Sequence, residues 1–168
     1  NGDVQSHWGD GVFANPHAVT IGPDDEVYCV DNGDSTVRKF TADGTLLFTL
    51  GTPHKPAPKM SGEPFNRPAH LAVDKRSGAL YVADGYSNAR VHKYSPDGQY
   101  LFSWGESGTG EGQFNIVHNV ETDKDGKVTV EAGGCYFVEA GDTHIETAVS
   151  DSLVLVTQAE DRPEYIDG

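Results

Sequence analysis

The chain has 168 residues, of which 36% are hydrophobic and 10% aromatic, a content sufficient to bury the core of one domain. Its 20 glycines and 9 prolines favour a turn-rich all-β protein. No apolar run approaches the roughly 18 residues that a membrane span needs. The net charge of −14 argues against a nucleic-acid partner, because a phosphate backbone is bound by clustered lysines and arginines.

The charge is unevenly distributed along the chain. Residues 1–120 carry 14 acidic and 9 basic side chains, whereas residues 121–168 carry 12 and 3. This shift predicts a boundary near residue 121. The N-terminal residues contain no basic stretch followed by an apolar one, so they do not indicate a signal peptide. Cys29 and Cys135 lack the spacing of a zinc knuckle, which favours two free buried thiols.

A repeat dominates the first two thirds of the sequence. "FANPHAVTIGPDDEVYCVDNGDSTVRKFTADGTLLFTLG" begins at Phe13, "FNRPAHLAVDKRSGALYVADGYSNARVHKYSPDGQYLFSWG" begins at Phe65, and "FNIVHNVETDKDGKV" begins at Phe114. Each full copy predicts four short strands, which in the second copy are 71–74, 79–83, 90–95 and 99–104. The phrases "TADG" and "SPDG" have the composition of hairpin turns. Four short strands per unit of roughly 40–50 residues predict a propeller blade.

Three histidines occupy related places in these copies. His17, His70 and His118 each stand four or five residues after the opening phenylalanine, at the head of the innermost strand. Equivalent positions on neighbouring blades face one central channel, so these side chains can meet around a common axis. Three neutral imidazoles with an open fourth position form a catalytic zinc site. The alternative is that each histidine hydrogen-bonds to backbone at the channel mouth.

The repeats resemble NHL repeats, and their sequence is similar to that of the peptidyl-α-hydroxyglycine α-amidating lyase family. The phrases that carry the resemblance lie within about residues 5–127 and are "NPHAVTI", "FNRPAHLAV", "YVADGYSNARVHKYSPDG", "SWGE" and "GQFNIVHNV". The resemblance implies zinc held by three histidines from alternate blades, and His17 and His118 match two of them. His70 lies in the intervening blade and is a candidate extra ligand. The resemblance also implies a structural calcium on the backbone carbonyl of Val19.

The two copies differ at the turn between their second and third strands. "DGYSNAR" has Tyr86 where "DNGDSTVR" has Gly33 or Asp34. The resemblance implies that Tyr86 is the catalytic base that takes a proton from the α-hydroxyl of the substrate. A phenol ionises in water only near pH 10, so such a base needs a nearby cation, which zinc would supply. The alternative is a tyrosine that packs between blades. Asn88 and Arg90 are expected to support the strand connection.

The repeat pattern breaks after "DKDGKV", and we place the domain boundary there, between residues 1–127 and 128–168. The segment 133–148 resembles the second motif of cupins, in which a histidine joins a metal site. His144, with Glu146 on the same strand face, is therefore a second and weaker candidate metal site. Alternatively, strands at 127–131, 135–139, 144–149 and 153–157 complete the third blade.

The sequence thus predicts an all-β chain: two full four-stranded NHL-type propeller blades, part of a third, and a β-rich, cupin-like segment. Three functions remain open: a zinc lyase cleaving peptidyl-α-hydroxyglycine to peptide amide and glyoxylate, a non-catalytic NHL module that binds protein or peptide, and a cupin-type metal-binding protein. About three blades are too few to close a ring, so the chain is expected to self-associate or to be a fragment. The family resemblance implies an extracellular or periplasmic location.

Overall fold

The computed structural model describes residues 2–4, 6–109, 113–122, 156–157 and 163–164. All regular structure in these residues is β, and the expected all-β class is confirmed there. The described residues contain no helix that is long and apolar enough to span a membrane. The first eight strands in chain order are β1 (Pro16–Ile21), β2 (Val27–Asp31), β3 (Thr36–Phe40), β4 (Leu46–Leu50), β5 (His70–Val73), β6 (Leu80–Asp84), β7 (Arg90–Tyr94) and β8 (Tyr100–Trp104).

These eight strands form two four-stranded antiparallel sheets, each with its strands in sequence order. The first sheet is β1-β2-β3-β4 and the second is β5-β6-β7-β8. This simple meander is the strand order of a propeller blade. The register shifts at the same place in both sheets, between Lys39 and Phe40 in one and between Lys93 and Tyr94 in the other. The sequence repeat is therefore also a structural repeat, and the four strands predicted for the second copy agree with the structure to within one residue at each end.

The hairpin turns between the last two strands of each sheet follow the predicted chemistry. Gly44 and Gly98 have φ values of 89° and 83°, a region that favours glycine. The preceding Thr41 and Ser95 each close the turn with a backbone hydrogen bond, from their N–H groups to the carbonyls of residues 45 and 99. The side-chain hydroxyls of Thr41 and Ser95 also accept a hydrogen bond from the N–H of these same residues at 3.0 Å.

One hydrophobic core lies between the two sheets. Alternate side chains of β2, β3 and β4 point towards the second sheet and meet alternate side chains of β5, β6 and β7. Phe65, which precedes β5 and is 1% exposed, packs into this interface. The buried cluster consists of Tyr28, Val30, Val37, Leu50, Phe65, Leu71, Val73, Leu80, Val82 and Tyr94.

A second core lies on the opposite face of the second sheet, where the opening of the third copy packs. Val117 and Val120 are fully or almost fully buried against it, and Phe114 packs at its margin with Trp104. Two short strands, β9 (Glu106–Ser107) and β10 (Gln113–Phe114), pair in parallel beside it. The opening of the third copy thus packs beside the second sheet, but residues 116–122 form no strand, so the inner strand predicted to begin at His118 is absent from these described residues.

The proposed tail falls largely outside the described residues. This holds for the cupin-like segment and for the candidate ligands His144 and Glu146, so both stay predictions. Two short strands are described beyond residue 122, β11 (Val156–Thr157) and β12 (Pro163–Glu164), which pair antiparallel. Strand structure at 156–157 falls within the predicted strand 153–157.

Candidate functional site

The candidate residues gather at one edge of the two sheets because of strand direction. β1 begins beside the end of β2, since Pro16 pairs with Asp31, and His17 follows. β5 begins beside the end of β6 in the same way, since His70 pairs with Ala83. The turn after β6 carries Tyr86, so the heads of the inner strands and the turns between the middle strands share this edge.

A buried carboxylate organises this edge in the first sheet. Asp31 is fully buried and accepts hydrogen bonds from backbone N–H groups before β1 and in the turn after β2. The N–H groups of Ala14 and Asn15 lie 2.7 and 2.9 Å from its carboxylate oxygens, and those of Gly33 and Asp34 lie 2.9 and 3.3 Å away. Asp31 therefore ties the segment that leads to His17 to the following turn.

The ionised form of Asp31 is favoured in spite of its burial. Burial alone would raise the pKa of this carboxyl, but the four backbone N–H donors together outweigh burial, and the pKa lies below its ordinary value. The Arg38 guanidinium lies 3.5 Å from Asp31 and also pairs with Asp34. This network fixes the backbone from which His17 projects.

Asp84 is the equivalent carboxylate of the second sheet. It is fully buried, and both of its oxygens lie 3.0 Å from the N–H of Asn66. Asn88 donates to it at 2.7 Å, and the imidazole Nε2 of His92 lies 3.2 Å away. The side chain of Asn88 also binds the chain at Gly62 and Glu63. Buried hydrogen bonds of Asp84 and Asn88 therefore stabilise the turn that carries Tyr86. This is the supporting role that was expected for Asn88.

Arg90 also has the structural role predicted for it. Its guanidinium donates to the Ser103 hydroxyl at 2.8 Å and to the Gly105 carbonyl at 2.7 Å. These contacts join β7 to the end of β8. They indicate a structural role for Arg90 and not a role in binding a ligand.

Tyr86 lies between two histidines from different repeats. Its hydroxyl oxygen is 3.1 Å from His17 Nε2 and 2.8 Å from His118 Nε2, although the three residues are separated by 69 and 32 positions in sequence. The ring centroids of His17 and His118 are 5.3 Å apart, and each imidazole meets the phenol ring edge to face. We call His17, Tyr86 and His118 the histidine–tyrosine cluster.

The hydrogen bonds assign the proton positions in the cluster. His17 Nδ1 lies 2.8 Å from the Ala69 carbonyl, which only accepts, so Nδ1 carries the proton and Nε2 presents a lone pair. The single hydroxyl hydrogen of Tyr86 is then donated to His17 Nε2. His118 Nε2 must carry a proton and donate to the same oxygen.

Tight packing of backbone brings His118 to the tyrosine. A Cβ atom added to Gly85 would lie 1.8 Å from the Val117 carbonyl oxygen, so the residue before Tyr86 has no room for any side chain. In the first repeat, a Cβ atom on Gly33 would lie 2.8 Å from the backbone nitrogen of Asn15. Each turn thus contacts the chain that leads into an inner strand.

His70 and Val19 lie beside the cluster rather than in it. His70 Nδ1 donates to the Val120 carbonyl at 3.1 Å, and burial lowers the pKa of this imidazole below its ordinary value. Both residues line a cavity of about 270 Å³ between β1, β5 and the chain at 121–122. Glu121 and Lys75 contribute the charged side chains of this cavity. His70 thus makes the backbone hydrogen bond that was the alternative to metal binding.

The structure adds one residue that the sequence reasoning did not select. The guanidinium carbon of Arg67 lies 5.4 Å from the ring centroid of Tyr86. Arg67 is exposed and belongs to the "FNRPAH" phrase that opens the second repeat. Its equivalents in the other repeats are Asn15 and Ile116. The sequence could therefore have indicated Arg67, because only this copy has a charged residue at the position.

The cluster has the donor chemistry of part of a zinc site. Two imidazole nitrogens meet at one oxygen, and the Ala69 carbonyl fixes the His17 tautomer as an outer partner does for a metal-binding histidine. Among residues 2–4, 6–109 and 113–122, however, no three His, Cys, Asp or Glu side chains form a metal-binding group. The residues present therefore fit two zinc ligands, and further ligands would come from elsewhere.

Comparison with known proteins supports an NHL-type fragment. Residues 65–94 match the NHL repeat. The chain contains an NHL repeat. A Drosophila melanogaster protein, peptidyl-alpha-hydroxyglycine alpha-amidating lyase 1, is 39% identical over 109 residues, which cover 63% of this chain and 19% of that protein. The Rattus norvegicus peptidylglycine alpha-amidating monooxygenase is 31% identical over 127 residues, 71% of this chain and 13% of that protein.

Relatives named for the repeat alone are equally similar. The Homo sapiens NHL repeat-containing protein 3 is 40% identical over 101 residues, which cover 59% of this chain and 29% of that protein. The chain spans less than a third of each of these three relatives. Among solved structures, virginiamycin B lyase from Staphylococcus aureus aligns with a TM-score of 0.46 at 13% identity, over 67% of this chain and 33% of that one.

Proposed function

We propose that this NHL-repeat segment carries part of the active site of a zinc-dependent lyase that cleaves peptidyl-α-hydroxyglycine to a peptide amide and glyoxylate. The observation that supports the proposal is the convergence of His17 and His118 on the hydroxyl of Tyr86. The amidating lyases among the relatives give the reaction class.

The reaction transfers one proton and breaks one bond. Tyr86, as phenolate, takes the hydroxyl proton of the substrate, the carbinol C–O bond becomes a carbonyl, and the C–N electron pair moves to nitrogen. The nitrogen takes up the proton that Tyr86 accepted, which gives the amide and restores the phenolate, so atoms and electrons balance. A zinc ion would supply positive charge that favours ionised oxygens at this place.

The chain's own residues hold the reacting groups in place. His17 presents Nε2 because its Nδ1 proton is held by the Ala69 carbonyl. The Asp84 network fixes the turn that bears Tyr86, which limits the positions its hydroxyl can take. To hold zinc through Nε2, His118 would carry its proton on Nδ1 instead, and the Tyr86 hydroxyl would be free to turn towards substrate.

Metal content tests the ligand assignment. We expect the purified chain to retain zinc after dialysis and His17→Ala or His118→Ala to lose it, with the folded far-ultraviolet spectrum unchanged. His54→Ala is the matched control, since His54 is an exposed loop histidine and its loss should leave zinc content unaffected. A folded wild-type chain that binds no zinc from a metal buffer contradicts the assignment.

Activity requires a separate test with N-benzoyl-α-hydroxyglycine as substrate. Glyoxylate release should fall at least about a hundredfold in Tyr86→Phe, because loss of a general base costs roughly two to four powers of ten in rate. Tyr100→Phe, which alters an exposed tyrosine on β8, should keep the wild-type rate. Equal rates for wild type and Tyr86→Phe refute the role of the tyrosine.

The second candidate is a non-catalytic NHL module that binds a protein or peptide. It is favoured by the 40% identity to a human protein named for its repeat alone. Retained folding and peptide binding without zinc or glyoxylate release would support it over the lyase. Calcium at the Val19 carbonyl, an extra ligand role for His70, self-association to close a propeller, and an extracellular or periplasmic location also remain proposals.

A further inference from the structure

The exposed side chain of Arg67 is positioned at the histidine–tyrosine cluster by its backbone. Arg67 has a φ of 62°, and its N–H donates to the Ser35 hydroxyl at 3.1 Å. The guanidinium lies over the face of Tyr86, with 5.4 Å between its central carbon and the ring centroid. A cation–π contact of this kind does not use the guanidinium N–H groups as hydrogen-bond donors, so they are available to a ligand.

Within the part of the chain that the structure describes, no carboxylate lies within ion-pair distance of Arg67. Arg38, by contrast, is buried between Asp31 and Asp34. An exposed arginine that is held in position without an ionic partner differs from the structural arginines of this fold.

The loop that leads to Arg67 is basic in an otherwise acidic chain. Residues 52–67 contain Lys55, Lys59 and Arg67 against one acid, Glu63, while the chain as a whole carries a net charge of −14. This loop is attached to the turn that carries Tyr86, since the N–H of Met60 donates to the Ser87 carbonyl at 2.9 Å. The local charge therefore favours an anion at this edge.

We propose that Arg67 binds the carboxylate of a ligand whose reacting group lies at the histidine–tyrosine cluster. A guanidinium presents paired N–H donors that match the two oxygens of a carboxylate. Arg67 and Tyr86 both occur in the second repeat alone, so recognition of the anion and contact with the hydroxyl come from one blade. The ligand class is an N-acyl amino acid with a free carboxylate, in which the amide nitrogen is adjacent to the acid-bearing carbon.

This inference deepens the proposed function and rests on the same site, but its test is binding rather than turnover. The probes are N-benzoylglycine, which has the carboxylate, and N-benzoylglycinamide, which is neutral and otherwise alike. Binding is measured by calorimetry on the full chain with zinc present. We expect Arg67→Gln to weaken binding of N-benzoylglycine by about tenfold or more and to leave the weak binding of the amide unchanged.

Two variants separate recognition from charge and from folding. Arg76→Gln removes the same charge from the turn after β5, at the opposite end of the strand from His70, and should bind like wild type. Arg67→Lys keeps the charge without the paired donors and should restore part of the affinity.

The outcomes distinguish this inference from the lyase proposal. If N-benzoylglycine binds in an Arg67-dependent way but no glyoxylate is released from the hydroxylated substrate, the lyase proposal fails and the anion site stands. If glyoxylate is released and Arg67→Gln changes neither KM nor the affinity for N-benzoylglycine, the anion site is refuted and the lyase proposal stands. Equal affinity of the wild-type chain for the acid and the amide also refutes the anion site.

Discussion

The substitution Asp31→Asn is predicted to destabilise the first sheet strongly although it changes the side-chain shape very little. The carboxylate is fully buried and accepts from four backbone N–H groups. An asparagine replaces one acceptor oxygen with a donor that faces these N–H groups, and it leaves Arg38 with less negative charge nearby. A hydrogen bond to a charged group contributes about 1.5–3 kcal/mol, and an unpaired buried charge costs about 3–5 kcal/mol, so we expect a loss of about 3–5 kcal/mol.

Urea unfolding followed by tryptophan fluorescence measures this loss as a change in midpoint at constant slope. Asp43→Asn is the matched control, because it makes the same chemical change on the exposed β3–β4 turn and should lower the urea midpoint far less than Asp31→Asn. If Asp31→Asn and Asp43→Asn unfold at the same urea concentration, the organising role of Asp31 is wrong.

The pH dependence of this effect has a definite sign. The pKa of Asp31 is lower in the folded chain than in the unfolded chain, where the pKa is about 4. The stabilisation by the ionised carboxylate is therefore complete above about pH 4 and is lost as the pH falls through the folded-state value. The stability difference between wild type and Asp31→Asn should shrink on acidification below about pH 4, and a difference that grows there contradicts this explanation.

Two further predictions concern packing. Gly85→Ala places a Cβ against the Val117 carbonyl and should cost at least about 2 kcal/mol by urea unfolding; an unchanged urea midpoint would show that the contact is unimportant. Phe65→Ala removes a ring that is 1% exposed in the interface between the sheets and should cost about 3–5 kcal/mol by thermal or urea unfolding. Leu47→Ala, on the exposed side of β4, should cost less than about 1 kcal/mol, and a similar loss in both variants would argue against an interface at Phe65.

The fold was predictable where the sequence repeats itself. The turn phrases and the alternation of apolar residues predicted eight strands, because the same pattern of four strands occurred twice with the same spacing. The convergence of His17 and His118 was predictable from symmetry, because equivalent positions in the repeats were expected to face one central channel. Tyr86 stood out as the residue that breaks the symmetry between copies.

Other parts of the site depend on contacts that a strand pattern does not contain. Arg67 has a backbone conformation set by Ser35 of the first repeat, so its side-chain direction could not be inferred from its own repeat. The position of His70 depends on the carbonyl of Val120, a contact across 50 residues. Likewise, the sequence showed that Gly85 precedes the tyrosine, but the absence of space for a side chain comes from the Val117 backbone.

The claim on which the functional proposal rests is that distant repeats bring two imidazoles and one phenol to a single metal ion. Crystals of the chain grown with zinc, with diffraction data collected on both sides of the zinc absorption edge, test it directly. We predict one anomalous peak within bonding distance of Nε2 of both His17 and His118, with the Tyr86 hydroxyl beside it. A strong peak elsewhere, or a map in which the two imidazoles lie apart and share no peak, would contradict it.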